Sequence, residues 1–189
     1  MATVGSGTMK KQRDRDETFW KVLNAALDLD FKKGHLKWTM SELSRRSAIT
    51  RSLIYYHFGR SKQAILDQAV QVIGEQLIGT TPDRMALLAQ GDFKESIMQS
   101  RELCERSPSL YSFYLMHRDR ETEVGARIRK LEGDYRKKLE KLFPQLSATA
   151  LLSVYAFFYG VAFAPGMNGD AITHSLRALK ALTGTANAQ

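Results

Sequence analysis

At 189 residues, with 43% hydrophobic and 25% charged residues, the chain has the composition of a globular protein of one domain, or of a small domain joined to a larger one. The single Cys104 excludes an intramolecular disulfide and, with four histidines and no close Cys/His cluster, argues against a structural zinc site; a cytoplasmic location is the default expectation. The formal net charge is +8, and its excess lies early: residues 10–62 hold 13 Lys/Arg against 6 Asp/Glu, whereas residues 63–189 hold 15 against 14, a distribution that favours a polyanionic partner.

The opening MATVGSGTMKKQRDRDE has no apolar run of the kind a secretory leader needs. Residues 1–14 read as a flexible tail, with Met9 as a candidate natural start. A first helix is expected over about 15–33, with Phe19, Val22, Leu23, Ala26 and Leu27 on one side and Gly34 as its stop. Thr39 is the expected cap of a short second helix, 40–46, that buries Met40 and Leu43. Thr50 caps a third, about 51–57. Gly59 breaks the chain, and Ser61 opens a long fourth helix, about 62–78, lined by Ile65, Leu66, Ala69, Ile73 and Leu77. The second and third helices are short and joined by a tight turn, which is the layout of a helix-turn-helix.

Further helices are expected over 83–90, 93–106 and 108–118, the last opening on Ser107-Pro108. A charged amphipathic helix, 121–142, should bury Val124, Ile128, Leu131, Tyr135 and Leu142. An apolar helix over 147–163 and a last helix over 170–183, with Ile172, Leu176 and Leu179 on one face, complete the chain. The expected fold class is all-α with about nine helices. Residues 15–62 form a three-helix DNA-binding domain, and residues 63–189 form a ligand-binding and dimerisation domain.

In the third helix, Ile49, Ile54 and Phe58 anchor the inner side, which leaves Arg51, Ser52, Tyr55 and Tyr56 outward or at the edge. Tyrosine hydroxyls bond phosphate oxygens, and arginine bonds the O6 and N7 of guanine in a bidentate manner. A helix start offers free N–H groups to phosphate. Arg45, Arg46 and Arg60 join the candidates on charge alone. The competing reading has the tyrosines packed against neighbouring helices, and for Tyr55 the two readings stand about even.

The run Ala25-Ala26, Gly34, Thr39-Met40-Ser41-Glu42-Leu43, Ala48-Ile49-Thr50-Arg51, Ile54-Tyr55-Tyr56-His57-Phe58 and Lys62 resembles the DNA-binding domain of the tetracycline-repressor (TetR) family. The resemblance is carried by motif over residues 15–68 and beyond them by helix order. It implies that Thr39 bonds a phosphate and that Thr50, Arg51, Ser52 and Tyr56 face DNA. Tyr55 and His57 would bond phosphates or brace the helix, and Lys62 would contact phosphate. Three positions depart from the family pattern. Ala48 stands where the family has a turn glycine, and alanine disfavours positive φ, so a reshaped turn is expected. Asp30 stands where a large apolar residue is usual, and Phe31 is expected to take over its packing. One extra residue separates Phe58 from Lys62.

No charged residue occurs between Leu142 and Gly169, yet Pro144, Gln145, Ser147, Thr149 and Ser153 interrupt the run, which argues against a membrane span. A helix apolar all round is expected to be covered on both sides. Tyr155 and Phe158 are assigned to the core, and Val154, Phe157 and Val161 to a second copy, together with Ala171, Ser175, Ala178 and Leu182 of the last helix. Met98, Cys104, Tyr111, Tyr114, His117 and Phe158 are the candidate lining of a small-molecule pocket, with a plain core as the alternative. The expected function is a sequence-specific transcriptional regulator, a repressor released from a palindromic operator by a small, largely apolar ligand. An architectural or nucleoid DNA-binding protein without a ligand is the alternative. No cofactor is expected. An enzyme is disfavoured: His117-Arg118-Asp119 matches a kinase tripeptide, but Val124 stands where that motif needs asparagine.

Overall fold

The structure is a computed structural model that describes the backbone of residues 5–183 and the side chains of residues 14–181. Among the described residues there are ten α-helices and no strand: α1 (Gly5–Lys33), α2 (Met40–Ser47), α3 (Arg51–Phe58), α4 (Lys62–Val72), α5 (Pro82–Ala89), α6 (Phe93–Arg106), α7 (Pro108–Arg118), α8 (Glu123–Leu142), α9 (Ala148–Phe163) and α10 (Gly169–Thr183). A π-wound turn, Ile73–Ile78, continues α4. No described helix is long and apolar enough to cross a membrane.

The chain forms two compact units. One runs through Gln71 and takes in Ser107–Met116; the other holds Val72–Arg106 and the chain from His117 onward. The division therefore falls inside α4 rather than at residue 62. The physical reason is that Ile65, Leu66, Ala69 and Val70 of α4 are buried apolar residues that belong with the first core. Helix α1 also starts earlier than expected, at Gly5 instead of about 15. Lys10 to Glu17 are polar but mostly good helix formers, and Glu17 pairs with Lys21 at 2.6 Å one turn on. Residues 1–4 of the expected tail lie outside the described residues.

In the first unit, α1 buries Val22, Leu23, Ala26 and Leu27, as its 3.6-residue spacing requires. Gly34 ends it at φ 93°, its N–H bonding the Asp30 carbonyl at 3.0 Å. Phe58 of α3 stacks on Phe19 with ring centroids 5.4 Å apart. Ser107 donates to the Asn24 side chain and so ties the start of α7 to α1.

In the second unit, α8 buries Val124, Ile128, Tyr135 and Leu139, with Leu131 and Leu142 half-buried. Ile172, Leu176 and Leu179 of α10 are buried as expected. Helix α9 rotates differently from the sequence expectation. Val154 and Val161, assigned to a partner copy, are buried with Tyr155 and Phe158. Residues 154, 158 and 161 share one helix face, and a helix apolar all round carries no periodic signal to fix its phase. The exposed face of α9 holds Leu152, Ser153, Ala156 and Gly160, while Phe157 is half-buried. Ala171 and Ser175 of α10 are half-buried, Ala178 is exposed, and the Leu182 side chain lies outside the described residues. Arg101 donates to the carbonyls of Val161, Ala162, Ala164 and Met167 at 3.2–3.4 Å, satisfying the free end of α9.

Candidate nucleic-acid interface

The interface begins at a reciprocal cap. Thr39 precedes α2 in extended conformation, and its hydroxyl accepts from the Glu42 N–H at 3.2 Å. The Glu42 carboxylate accepts from the Thr39 N–H at 2.8 Å and from the Thr39 hydroxyl at 3.0 Å. Lys33 closes an ion pair on the same carboxylate. Its hydrogen bond to Glu42, followed by the two from Thr39, pulls the Glu42 carboxyl down to about 2. The hydroxyl hydrogen of Thr39, expected on a phosphate, is committed to Glu42 in this arrangement.

Three serine contacts hold the turn that follows. Ser47 Oγ donates to the Leu43 carbonyl at 2.8 Å and accepts from the Ile49 N–H at 3.3 Å, while Ser44 Oγ donates to the Ile49 carbonyl at 2.7 Å. Ala48 sits between them at φ 56°, ψ 26°, in the left-handed region. The turn is therefore not reshaped to suit alanine. Alanine adopts the glycine-type conformation, because the serine bonds on both sides fix the path of the backbone.

Helix α3 starts at Thr50, whose Oγ1 accepts from the Leu53 N–H at 3.4 Å. Ile54 and Phe58 are buried, so the opposite side faces out. Arg51 and Ser52 are exposed there, and Tyr56 is 77% exposed. Leu53, which sequence reasoning did not single out, is 39% exposed on the same short helix. Its signal was available: it adjoins Ile54, and a narrow helix cannot bury both. Tyr55 is half-buried with the Arg60 guanidinium 5.8 Å from its ring centroid, and half-buried His57 meets the Tyr56 ring edge-on at 5.1 Å. These two sit at the edge of the face rather than at its centre.

The remaining cations divide by partner. Arg45 is exposed. Arg46 is also exposed, but it pairs with Asp28 of α1 at 2.9 Å. Lys62 reaches back to the loop between α1 and α2, where it donates to the carbonyls of Leu36 and Trp38, the latter at 2.9 Å. Its ammonium lies 5.7 Å from the centre of the Trp38 ring. The extra residue before Lys62 thus leaves it bracing that loop.

Asp30 completes the loop from below. Its side chain is fully buried, while Phe31, expected to take its place in the core, is 61% exposed. Asp30 Oδ1 accepts from the Leu36 N–H at 2.8 Å and from the Trp38 indole N–H at 3.0 Å, and His35 Nδ1 lies 3.2 Å from Oδ2. A carboxylate on the inner side of α1 is stable there because the loop folds its donors onto it. Residue 30 lies four positions after Ala26 on that side, so the register demanded burial; only the donors, supplied by residues distant in sequence, were hidden.

The six expected ligand contacts differ in burial. Tyr114, His117 and Phe158 are buried, and Met98, Cys104 and Tyr111 are half-buried. Four clefts of about 450, 360, 340 and 420 Å³ lie within the units, and none is lined by these residues. Burial pushes the Cys104 thiol up to about 11, which keeps it protonated near neutrality.

Residues 22–76 match the family model described as "Bacterial regulatory proteins, tetR family". No curated protein matches the sequence. Among solved structures, the chain is similar to the TetR family transcriptional regulator PfmR from Thermus thermophilus, with a TM-score of 0.57 at 15% identity, covering 86% of this chain and 97% of that one. It is also similar to NalD from Pseudomonas aeruginosa, the secondary repressor of the MexAB-OprM multidrug efflux pump, with a TM-score of 0.50 at 18% identity, covering 90% and 96% of the two chains. At such identities these likenesses concern the fold, and the match over residues 22–76 concerns the helix-turn-helix itself. Residues 22–76 thus carry the helix-turn-helix of the bacterial regulatory proteins of the tetR family, a DNA-binding unit of transcriptional regulators, and the chain as a whole is similar in fold to solved regulators of that family.

Proposed function

We propose that the chain is a repressor that binds a near-palindromic operator as a two-fold dimer, with one α3 in each half-site, and that a small molecule held by the second unit releases it. The observation that carries the DNA reading is the outward face of α3. Arg51, Ser52 and Tyr56 are exposed beside a capped helix start, on the part of the chain that holds the positive excess. In this reading Arg51 contacts a base edge, Ser52 and Tyr56 contact bases or phosphates, and exposed Leu53 meets a thymine methyl. Thr50, Arg45, Tyr55 and His57 serve the phosphates on either side. The dimer reading is supported by the exposed, uncharged face of α9 formed by Leu152, Ser153, Ala156 and Gly160.

Release follows from linkage. A ligand that favours a head separation unsuited to the groove lowers DNA affinity, and DNA lowers ligand affinity by the same factor. The chain passes from one unit to the other within α4, which makes that helix the natural lever.

The test is fluorescence anisotropy with duplex DNA over a range of salt. Affinity is expected to fall steeply as salt rises, since bound phosphates release counterions. Failure to bind any duplex selected from genomic fragments at low ionic strength would overturn the reading.

A further inference from the structure

Helix α4 does not end in ordinary α winding. Its continuation, Ile73–Ile78, is π-wound and starts just after the point where the chain leaves the first unit. The Gly79 N–H reaches back five residues to the Gly74 carbonyl at 3.1 Å, where α winding would take it to Glu75. The Thr80 N–H and the Thr80 hydroxyl both close on the same Gly74 carbonyl at 2.9 Å. In α winding that N–H would go to the Gln76 carbonyl. The bonded loop at Gly79 therefore encloses one residue more than an α-turn does, a rare winding that is frequent at functional sites.

Two side chains take the carbonyls that this winding leaves over. Arg84, at the third position of α5, is buried and folds back over the turn. Its Nη1 donates at 3.2 Å to the Gln76 carbonyl, the one that Thr80 would claim in α winding. Its Nη2 donates to Ser100 Oγ at 2.7 Å, and Ser100 Oγ donates to the Leu77 carbonyl at 3.1 Å. Its Nε donates to Ser96 Oγ at 2.9 Å, so α6 fixes the guanidinium from the far side. The charge stands at the carbonyl end of a helix, where the backbone dipole favours a cation. Gly79, at φ 86°, leaves room for it: an added Cβ would stand 3.1–3.2 Å from the guanidinium. Gly74 fixes the other side of the turn against α8, where an added Cβ would stand 2.9 Å from Leu131 Cδ2.

We propose that Arg84 is a latch on this extra residue: it holds the end of α4 in the π register, and its release lets the turn rewind to α winding, which shifts α4 by one residue against α5 and α6. Helices favour α over π winding by a wide margin, and the bonds from Arg84 and Ser100 to the free carbonyls tip this turn the other way. The exchange is local. Gly79 moves from Gly74 to Glu75, and Thr80 moves from Gly74 to Gln76 once the guanidinium withdraws. One residue of register is a rotation of about 100° and a rise of about 1.5 Å. This inference rests on the reading of α4 as the lever between effector and operator.

The test uses the full-length protein and the genomic duplex that it binds most tightly. Amide hydrogen exchange at Gly79 and Thr80 is followed by NMR. Arg84→Met and the milder Ser100→Ala are expected to speed that exchange by about tenfold and to lower operator affinity by about 5–150-fold. Deletion of Glu75 separates a latch from a plain brace. In an α-turn, removing one residue rotates everything beyond it by about 100°. Here it turns the bond from Gly79 to Gly74 into an ordinary α-helical one, so the deletion variant is expected to fold and to keep the parent's operator affinity. Combined with Arg84→Met, the deletion should restore that affinity, because no extra residue is left to hold. Unchanged exchange in both single variants overturns the latch, and so does a deletion variant that fails to fold, or a double variant as impaired as Arg84→Met alone. Faster exchange with unaltered operator affinity sustains the latch and removes α4 as the lever.

Discussion

The outward face of α3 and the loop beneath it, between α1 and α2, divide the work of the head in opposite ways. On α3 the polar side chains point to solvent and few are tied to the chain; Arg51 and Tyr56 are exposed. In the loop the polar groups turn inward, and Asp30 holds the Leu36 N–H and the Trp38 indole in full burial. Lys62 and the Thr39–Glu42 cap hold the same segment from its other sides. The first region supplies groups free to change partners when DNA arrives. The second supplies none, and fixes where α2 starts and hence where α3 lies. Chemistry and position are thus carried by different residues, and substitutions should separate the two.

The largest effect is expected at Asp30. Asp30→Ala leaves the Trp38 indole N–H and the Leu36 N–H without their acceptor in a buried site. Each orphaned buried donor costs about 1–3 kcal/mol, so a total near 3 kcal/mol is expected. Urea denaturation followed by tryptophan fluorescence measures it. A midpoint within error of the parent would mean that the loop holds its shape without the carboxylate.

Arg51→Ala is the converse case. Arg51 is exposed and at the first position of α3, so the denaturation midpoint should stay in place. Operator affinity should fall by about 1–3 kcal/mol, with discrimination between bases lost at one position of each half-site. An unchanged operator affinity removes Arg51 from the readout. A drop in stability instead would erase the division between the two regions at its clearest point.

The cap lies between these extremes. Thr39→Ala removes the side-chain acceptor of the Glu42 N–H and should cost about 1 kcal/mol. The same cap predicts a pH dependence. The Glu42 carboxyl is lowered to about 2 in the folded chain. Its contribution is therefore complete above the ordinary glutamate range and is lost as the pH falls through that range toward 2. In Glu42→Gln this acid-side loss should shrink, as measured by denaturation between pH 5 and 2.5. An identical acid profile in parent and variant would show that the ion pair with Lys33 is inert.

Which features could be read before folding follows the same division. Helix ends were legible where a cap and a glycine mark them, as at Thr39, Thr50 and Gly34, because those signals are local. The outward set on α3 was legible because Ile54 and Phe58 fix the phase of a short helix. Asp30 was not, since its donors lie six and eight residues on and become neighbours only when the loop closes. The phase of α9 was hidden for another reason. Its residues are apolar on all sides, so Val154 and Val161 carried no mark of an inward position.

The smallest effect sharpens the comparison most, because it touches the joint between the two regions. Ala48 occupies the left-handed region at φ 56° in the turn that leads into α3. An L-residue there costs about 1–2 kcal/mol relative to right-handed backbone, and glycine avoids that cost but loses about 0.5–1 kcal/mol of extra chain entropy on folding. Ala48→Gly should therefore stabilise the head by about 0.5–1 kcal/mol. The serine bonds on either side already fix the path of the turn, so the placement of α3 and the operator affinity should not change. A more stable variant with the parent's DNA affinity would show that the turn is strained but correctly shaped. Tighter operator binding in that variant would mean instead that alanine holds α3 slightly out of register, and that the loop region sets affinity as well as position.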